Sequence, residues 1–153
     1  MVASGSGVRL EEAARDLFDV VTQLGLTAMR GRRRPGELKE LEFFTLALLH
    51  EHGTMIVGTI QKTLGVLPAQ MSRVIRSLEA RERTLITCQI NPTDKRKVDV
   101  CLTPAGEKAL QEYVTYRTDR LVSLMRDLPE EEQEELNRLI EKLHGLLERS
   151  WSN

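Results

Sequence analysis

The 153-residue chain has only two cysteines, no long hydrophobic run and almost no net charge, −1 from 22 basic and 23 acidic residues. Its longest apolar stretches are short, Leu46-Ala47-Leu48-Leu49 among them, where a membrane helix needs ~20 residues. No basic segment followed by an apolar core opens the sequence, which argues against secretion. Position 2 is Val2 instead of the glycine of a myristoylation signal, and no prenylation cysteine stands near the C-terminus. A soluble protein of the cytoplasm with no membrane partner is expected. Cys88 and Cys101 are too few for a disulfide framework in a chain of this length, and read first as small strand residues. Glycine-rich phosphate loops, nucleophile elbows and metal-ligand spacings are also missing. No catalytic residue, metal or cofactor is therefore expected, and the chain does not read as an enzyme. His50-Glu51-His52 invites a metal reading, but this spacing puts the histidines on different helical faces with no cysteine nearby. A helix end with polar residues fits better.

What the chain does have is length for one ordinary domain and a marked charge asymmetry. From Pro68 to Lys97 seven basic residues stand against three acidic ones, a net +4, whereas from Gln111 onward six basic face ten acidic, a net −4. A neutral chain with one basic segment points to a local anionic partner.

The hydrophobic periods divide the chain. Residues 1–7 have linker composition and are expected to fray. From Val8 to about Met29, apolar residues recur at helical spacing, Leu10, Leu17 and Val20 among them. A basic loop through Pro35 and Gly36 ends that helix. A second helix is expected over Leu38 to His50, closed by Gly53. Thr54 is a plausible cap for a short helix through Met55, Ile56, Ile60 and Leu64, closed by Gly65. Pro68 then starts a helix to about Arg81. The period next changes to that of strands, over Leu85–Ile90 and Val98–Leu102, joined by the turn-rich, charged link Asn91-Pro92-Thr93-Asp94-Lys95-Arg96-Lys97. Thr103-Pro104 opens another helix with an apolar stripe that includes Leu121 and Leu124. Pro129 and the acidic run 130–135 open the last one, with Leu136, Leu139, Leu143 and Leu147 on its stripe. The expected fold is mainly α with a small β-hairpin.

Met71, Val74, Ile75 and Leu78 form the inward stripe of the helix that begins at Pro68. Its other face presents Ala69, Gln70, Ser72, Arg73, Arg76 and Ser77, side chains able to reach base edges or phosphates. An ordinary solvated surface helix competes with that reading. The hairpin shifts the balance, because its tip Asp94-Lys95-Arg96-Lys97 is a cationic finger suited to a narrow minor groove. A short helix, a tight turn, this helix and this hairpin make a winged helix-turn-helix, for which double-stranded DNA is the expected partner.

The stretch from about Leu38 to Leu110 resembles the winged-helix core of the MarR (multiple antibiotic resistance regulator) family of bacterial transcription regulators. The resemblance rests on Leu78-Glu79, Leu85-Ile86, Asp94-Lys95-Arg96 and Val100-Cys101-Leu102-Thr103-Pro104-Ala105-Gly106, the last similar to the family's V-x-L-T-x-x-G. The final segment from Leu128-Pro129-Glu130 is similar to the family's last dimerisation helix. The resemblance implies a homodimer on a palindromic operator. Arg96 would enter the minor groove, held by Asp94, and Pro68, Ala69, Gln70, Ser72, Arg73 and Arg76 would line the major-groove helix beside Lys95 and Lys97. It also implies that residues 8–153 form one domain, with a core at 37–107 between dimerisation segments 8–36 and 108–153. It further leaves room for a small amphipathic or anionic effector between dimer helices and core. Two departures stand out: the junction Ala80-Arg81-Glu82-Arg83-Thr84 lacks the family's glycine and is about two residues longer, and Cys88 stands where an arginine is usual.

Dimerisation has a separate argument. Two long helices with continuous apolar stripes flank a core too small to cover them, and monomers rarely expose such patches. Leu10, Leu17, Val20, Leu121, Leu124, Leu136, Leu139, Leu143 and Leu147 are the expected interface. Phosphates would draw in Arg73, Arg76, Arg81, Lys95, Arg96 and Lys97. Cys88 and Cys101 would lie roughly opposite one another in a hairpin symmetric about Asp94-Lys95, where a redox switch is conceivable, although two inert thiols fit a reducing cytosol better. Phe43, Phe44 and Met55 could line a pocket but suit core packing better. The rival overall reading is a helical module whose wing docks an acidic protein, with no operator.

Overall fold

The computed structural model describes residues 4–29 and 34–151. The chain divides into two compact units, residues 1–37 and 38–153. In the first, α1 (Ser4–Met29) is a 26-residue helix. It starts before the expected Val8: residues 4–7 are helical despite their linker composition, since extending a formed helix costs far less than nucleating one. Residues 1–3, and 30–33 of the expected basic loop, lie outside the described residues. Leu10, Leu17 and Val20 are exposed on α1, as are Phe18 and Val21.

The second unit begins with α2 (Glu40–His52), β1 (Met55–Ile56), α3 (Val57–Leu64) and α4 (Pro68–Glu79). It continues through β2 (Ile86–Ile90), β3 (Val98–Leu102), α5 (Pro104–Met125) and α6 (Glu130–Trp151). The three strands form one antiparallel sheet in the order β1-β3-β2. Here the expectation of a helix from Thr54 is corrected. Met55 and Ile56 pair with Val100 and Asp99 as a third strand, so the wing is anchored to the body beyond a bare hairpin, and α3 starts only at Val57. Two residues are too few to show a period, and the pairing partner lies far along the chain.

The core gathers one face from each element. Leu46 and Leu49 come from α2, Ile60 from α3, Met71, Val74, Ile75 and Leu78 from α4, Ile86 and Val100 from the sheet, and Leu110 from α5. The stripe expected on α4 is therefore wholly buried. Gly65 closes α3 in the left-handed conformation, φ 64°, which an L side chain adopts only at a cost. Its N–H reaches Lys62 O at 3.2 Å while that of Val66 reaches Gln61 O at 3.3 Å, so the turn into α4 is tight. Thr103 caps α5 by accepting the Gly106 N–H at 3.0 Å. On α5 and α6, Leu121, Leu124, Leu139, Leu143 and Leu147 are exposed and Leu136 is half-buried. Among the described residues no helix is long and apolar enough to cross a membrane.

Candidate nucleic-acid interface

Helix α4 starts with Pro68 in its first turn, where the missing N–H is no loss. Its N-cap is Leu67, which makes no side-chain capping bond and is 73% exposed. With the apolar stripe inward, Pro68, Ala69, Gln70, Ser72, Arg73 and Arg76 are all exposed on the other face. Arg76 lies along its own helix, Nε donating to Ser72 O at 3.3 Å.

Ser77, expected on this face, and Arg81, expected to attract phosphate, both bond to α2. Ser77 is half-buried and its hydroxyl donates to Glu42 Oε1 at 2.5 Å, while the Arg81 guanidinium is paired with Glu42 Oε2. Arg81 thus ties the junction after α4 to α2. Glu42 itself is 2% exposed. Burial alone would raise its pKa, but hydrogen bonds from Ser77, the Lys39 N–H and Arg81, together with the Arg81 charge, outweigh that and hold it below the usual value.

The wing tip is organised by Asn91. Its side-chain carbonyl accepts the N–H groups of Thr93 and Asp94, both at 3.0 Å, and the Thr93 hydroxyl at 2.7 Å. Its amide donates to Asp99 across the hairpin at 2.9 Å. Asx geometry of this kind fixes a turn without regular pairing. Asp94 then orients Arg96: one carboxylate oxygen accepts the Arg96 N–H at 3.1 Å and its Nε at 3.3 Å. Those two bonds, with Lys97 nearby, hold the Asp94 carboxyl below its ordinary value. The Arg96 side chain is 90% exposed. Lys95 and Lys97 flank it, also exposed.

A groove of about 740 Å³ runs between α3, α4 and the wing, and Lys62, Ser72, Arg76, Arg96 and Lys97 all line it. Arg76 of the helix and Arg96 and Lys97 of the wing therefore share one concave face, whereas Arg73 and Lys95 do not line it. Lys62 was not singled out in the sequence, since nothing marks a lysine on the helix before the turn as facing the wing. Asn91 could have been found from its place in an Asn-Pro turn. Glu42 could not, because an acidic residue in the first turn of a helix is ordinarily a solvated one.

The thiols take a different arrangement from the one expected. Cys88 pairs with Val100 and Cys101 with Thr87, so the register places the two on opposite faces of the sheet. A bridge between them would need a slipped strand. Burial pushes the Cys88 thiol up to about 12, aided by a hydrogen bond to Glu79 and that residue's charge. Cys101 Sγ lies 3.0 Å from the Thr54 hydroxyl.

His50 pairs with Glu107 of α5 at 2.8 Å, and His52 lies 3.9 Å from Glu51. No group of three metal-ligating side chains comes together among the described residues. Phe43 and Met55 pack against the core, whereas Phe44 is 42% exposed. The Phe43 ring stacks on Tyr113 at 4.5 Å, and the Arg117 guanidinium lies 5.0 Å above the Tyr113 ring.

Residues 38–98 match the model of the MarR family. The chain is similar to the HTH-type transcriptional repressor MdtR of Bacillus subtilis, 28% identical over 129 residues that span 79% of this chain and 82% of the relative. Among solved structures it resembles the transcriptional regulator Tm0710 from Thermotoga maritima, with a TM-score of 0.72 at 21% identity, covering 94% of this chain and 99% of that one. It also resembles Bordetella bronchiseptica BpsR, from a structure describing regulation of that protein's DNA binding by 6-hydroxynicotinic acid. There the TM-score is 0.59 at 24% identity, over 86% of this chain and 98% of that one. Residues 38–98 thus carry a segment that matches the MarR family, within a winged-helix chain that is similar to transcriptional regulators of that kind.

Proposed function

We propose that this protein is a transcriptional regulator of the MarR family, a cytoplasmic homodimer that binds a palindromic duplex operator, with α4 in the major groove and the wing tip in the adjacent minor groove. The observation that carries the reading is the single groove shared by Arg76 of α4 and Arg96 and Lys97 of the wing. One rigid body can then approach two successive grooves of the same duplex face. Phosphates attract Lys62, Arg73, Lys95 and Lys97 without regard to sequence, while Gln70, Ser72 and Arg73 are of the types that read base edges.

Dimerisation is supported by the apolar side chains left exposed. Leu10, Leu17 and Val20 on α1, Leu121 and Leu124 on α5, and Leu139, Leu143 and Leu147 on α6 face solvent in a single chain. Covering them with a second copy buries area worth ~25 cal/mol per Å² and doubles the basic segment against a two-fold site. Two recognition helices would then sit about one DNA turn, ~34 Å, apart.

A small-molecule effector is a further expected partner. The DNA binding of BpsR is regulated by 6-hydroxynicotinic acid, and the likeness to that protein supports the expectation. Such a ligand acts only if its affinity differs between the half-site spacings.

Selection from a random duplex pool tests the proposal. A palindromic consensus bound by wild type, and bound more weakly by Arg96→Ala, is the expected result. Enrichment of no sequence, or an Arg96→Ala variant indistinguishable from wild type, contradicts it.

A further inference from the structure

The buried carboxylate of Glu42 stands apart from both the cationic face and the exposed apolar stripes. Its oxygens receive three donors from three places: the Lys39 N–H of its own helix start at 3.2 Å, the Ser77 hydroxyl of α4 at 2.5 Å, and the guanidinium of Arg81 in the junction between α4 and β2. The far end of that junction is fixed independently. Thr103 N–H donates to Leu85 O at 3.1 Å and Thr103 Oγ1 to Thr84 O at 2.6 Å. Within the junction, the Leu85 N–H reaches back to Leu78 O at 3.2 Å. The five residues from Ala80 to Thr84 thus run between two clamps, one on α2 and one on the start of α5.

We propose that Glu42, acting through Ser77 and Arg81, is a positioning residue for DNA binding: it sets the angle between the recognition helix and the wing. This rests on the DNA-binding reading above. Stability alone is a poor reason for the arrangement. Replacing a buried ion pair by apolar groups of similar volume is often neutral or stabilising, because desolvation consumes the Coulombic gain. What apolar packing lacks is direction. A carboxylate with three donors fixes orientation at the very segment where no glycine shapes the turn, and it commits an arginine that would otherwise be available to phosphate. Helix and wing must then enter two grooves together, and a small misorientation weakens every contact at once.

The test compares wild type with the double variant Glu42→Leu/Arg81→Met on the selected duplex, with thermal unfolding measured in parallel. The expected result is a protein at least as stable as wild type whose specific affinity falls roughly tenfold, the scale of one lost hydrogen bond to a charged group. The dependence of affinity on salt should be unchanged, since neither side chain touches a phosphate. Should that variant fail to fold, Ser77→Ala removes one hydroxyl only and should lower affinity roughly threefold or more. Arg81→Lys, which keeps the charge, should recover part of the loss. A folded variant that binds like wild type overturns the inference. A salt slope shallower by about one phosphate contact also overturns it, by putting Arg81 on the DNA. If wild type itself selects no duplex, the DNA-binding reading falls and this inference with it.

Discussion

Gly106, in the first turn of α5, lies flush against the backbone carbonyl of Leu85, the residue that leads into the wing. A Cβ at position 106 would run into that oxygen and the Leu102 side chain. The L-T-x-x-G pattern therefore has a physical cause: the threonine caps the helix and holds the junction, and the glycine lets helix and strand backbones touch. Gly106→Ala should destabilise the protein by about 1–3 kcal/mol, the usual cost of overpacking, as read by chemical denaturation.

Asn91 and Arg96 separate wing order from wing contact. Arg96 is exposed, so Arg96→Ala should leave the melting temperature unchanged and weaken operator binding by roughly 1–3 kcal/mol. Asn91→Ala removes the hub that holds Thr93, Asp94 and Asp99. It should lower both stability and affinity, and calorimetry paired with a binding titration distinguishes the two variants.

Leu67 sits at a helix N-cap without a capping side chain, and is exposed. Leu67→Ser should supply the missing acceptor while giving up little buried surface. A gain of about 1 kcal/mol in unfolding free energy is expected.

The hydrogen bonds from Ser77, the Lys39 N–H and Arg81 outweigh burial and hold the Glu42 carboxyl below its ordinary value in the folded protein. A depressed acid contributes stability that is fully present above its unfolded value and is lost as pH falls through the folded one. Wild type should therefore lose stability as pH drops through and below the ordinary glutamate range, and Glu42→Gln should show a shallower acid limb in pH-resolved denaturation. Identical limbs contradict the assignment.

Much of this was legible in the sequence, for reasons that can be named. The spacing of Met71, Val74, Ile75 and Leu78 is a local property of one helix, and all four are buried. Thr103-Pro104 announces a helix start by chemistry that acts within one turn. What stayed hidden depends on distant partners. Ser77 and Arg81 look like solvated residues until Glu42, more than thirty positions earlier, is placed beside them. The Met55–Ile56 strand exists only because β3 lies next to it. The two cysteines show how sensitive register is: a hairpin one residue off the symmetry expected about Asp94-Lys95 sends their side chains to opposite faces.

The central claim is that helix and wing together grip duplex DNA, and a salt series tests it most directly. Affinity is measured for the selected duplex and for its single strand at equal charge, from about 50 to 200 mM salt. Tighter duplex binding at every salt, falling about a thousandfold or more over that range as counterions are released, is predicted. Equal affinity for both nucleic acids, or duplex binding indifferent to salt, would contradict the account.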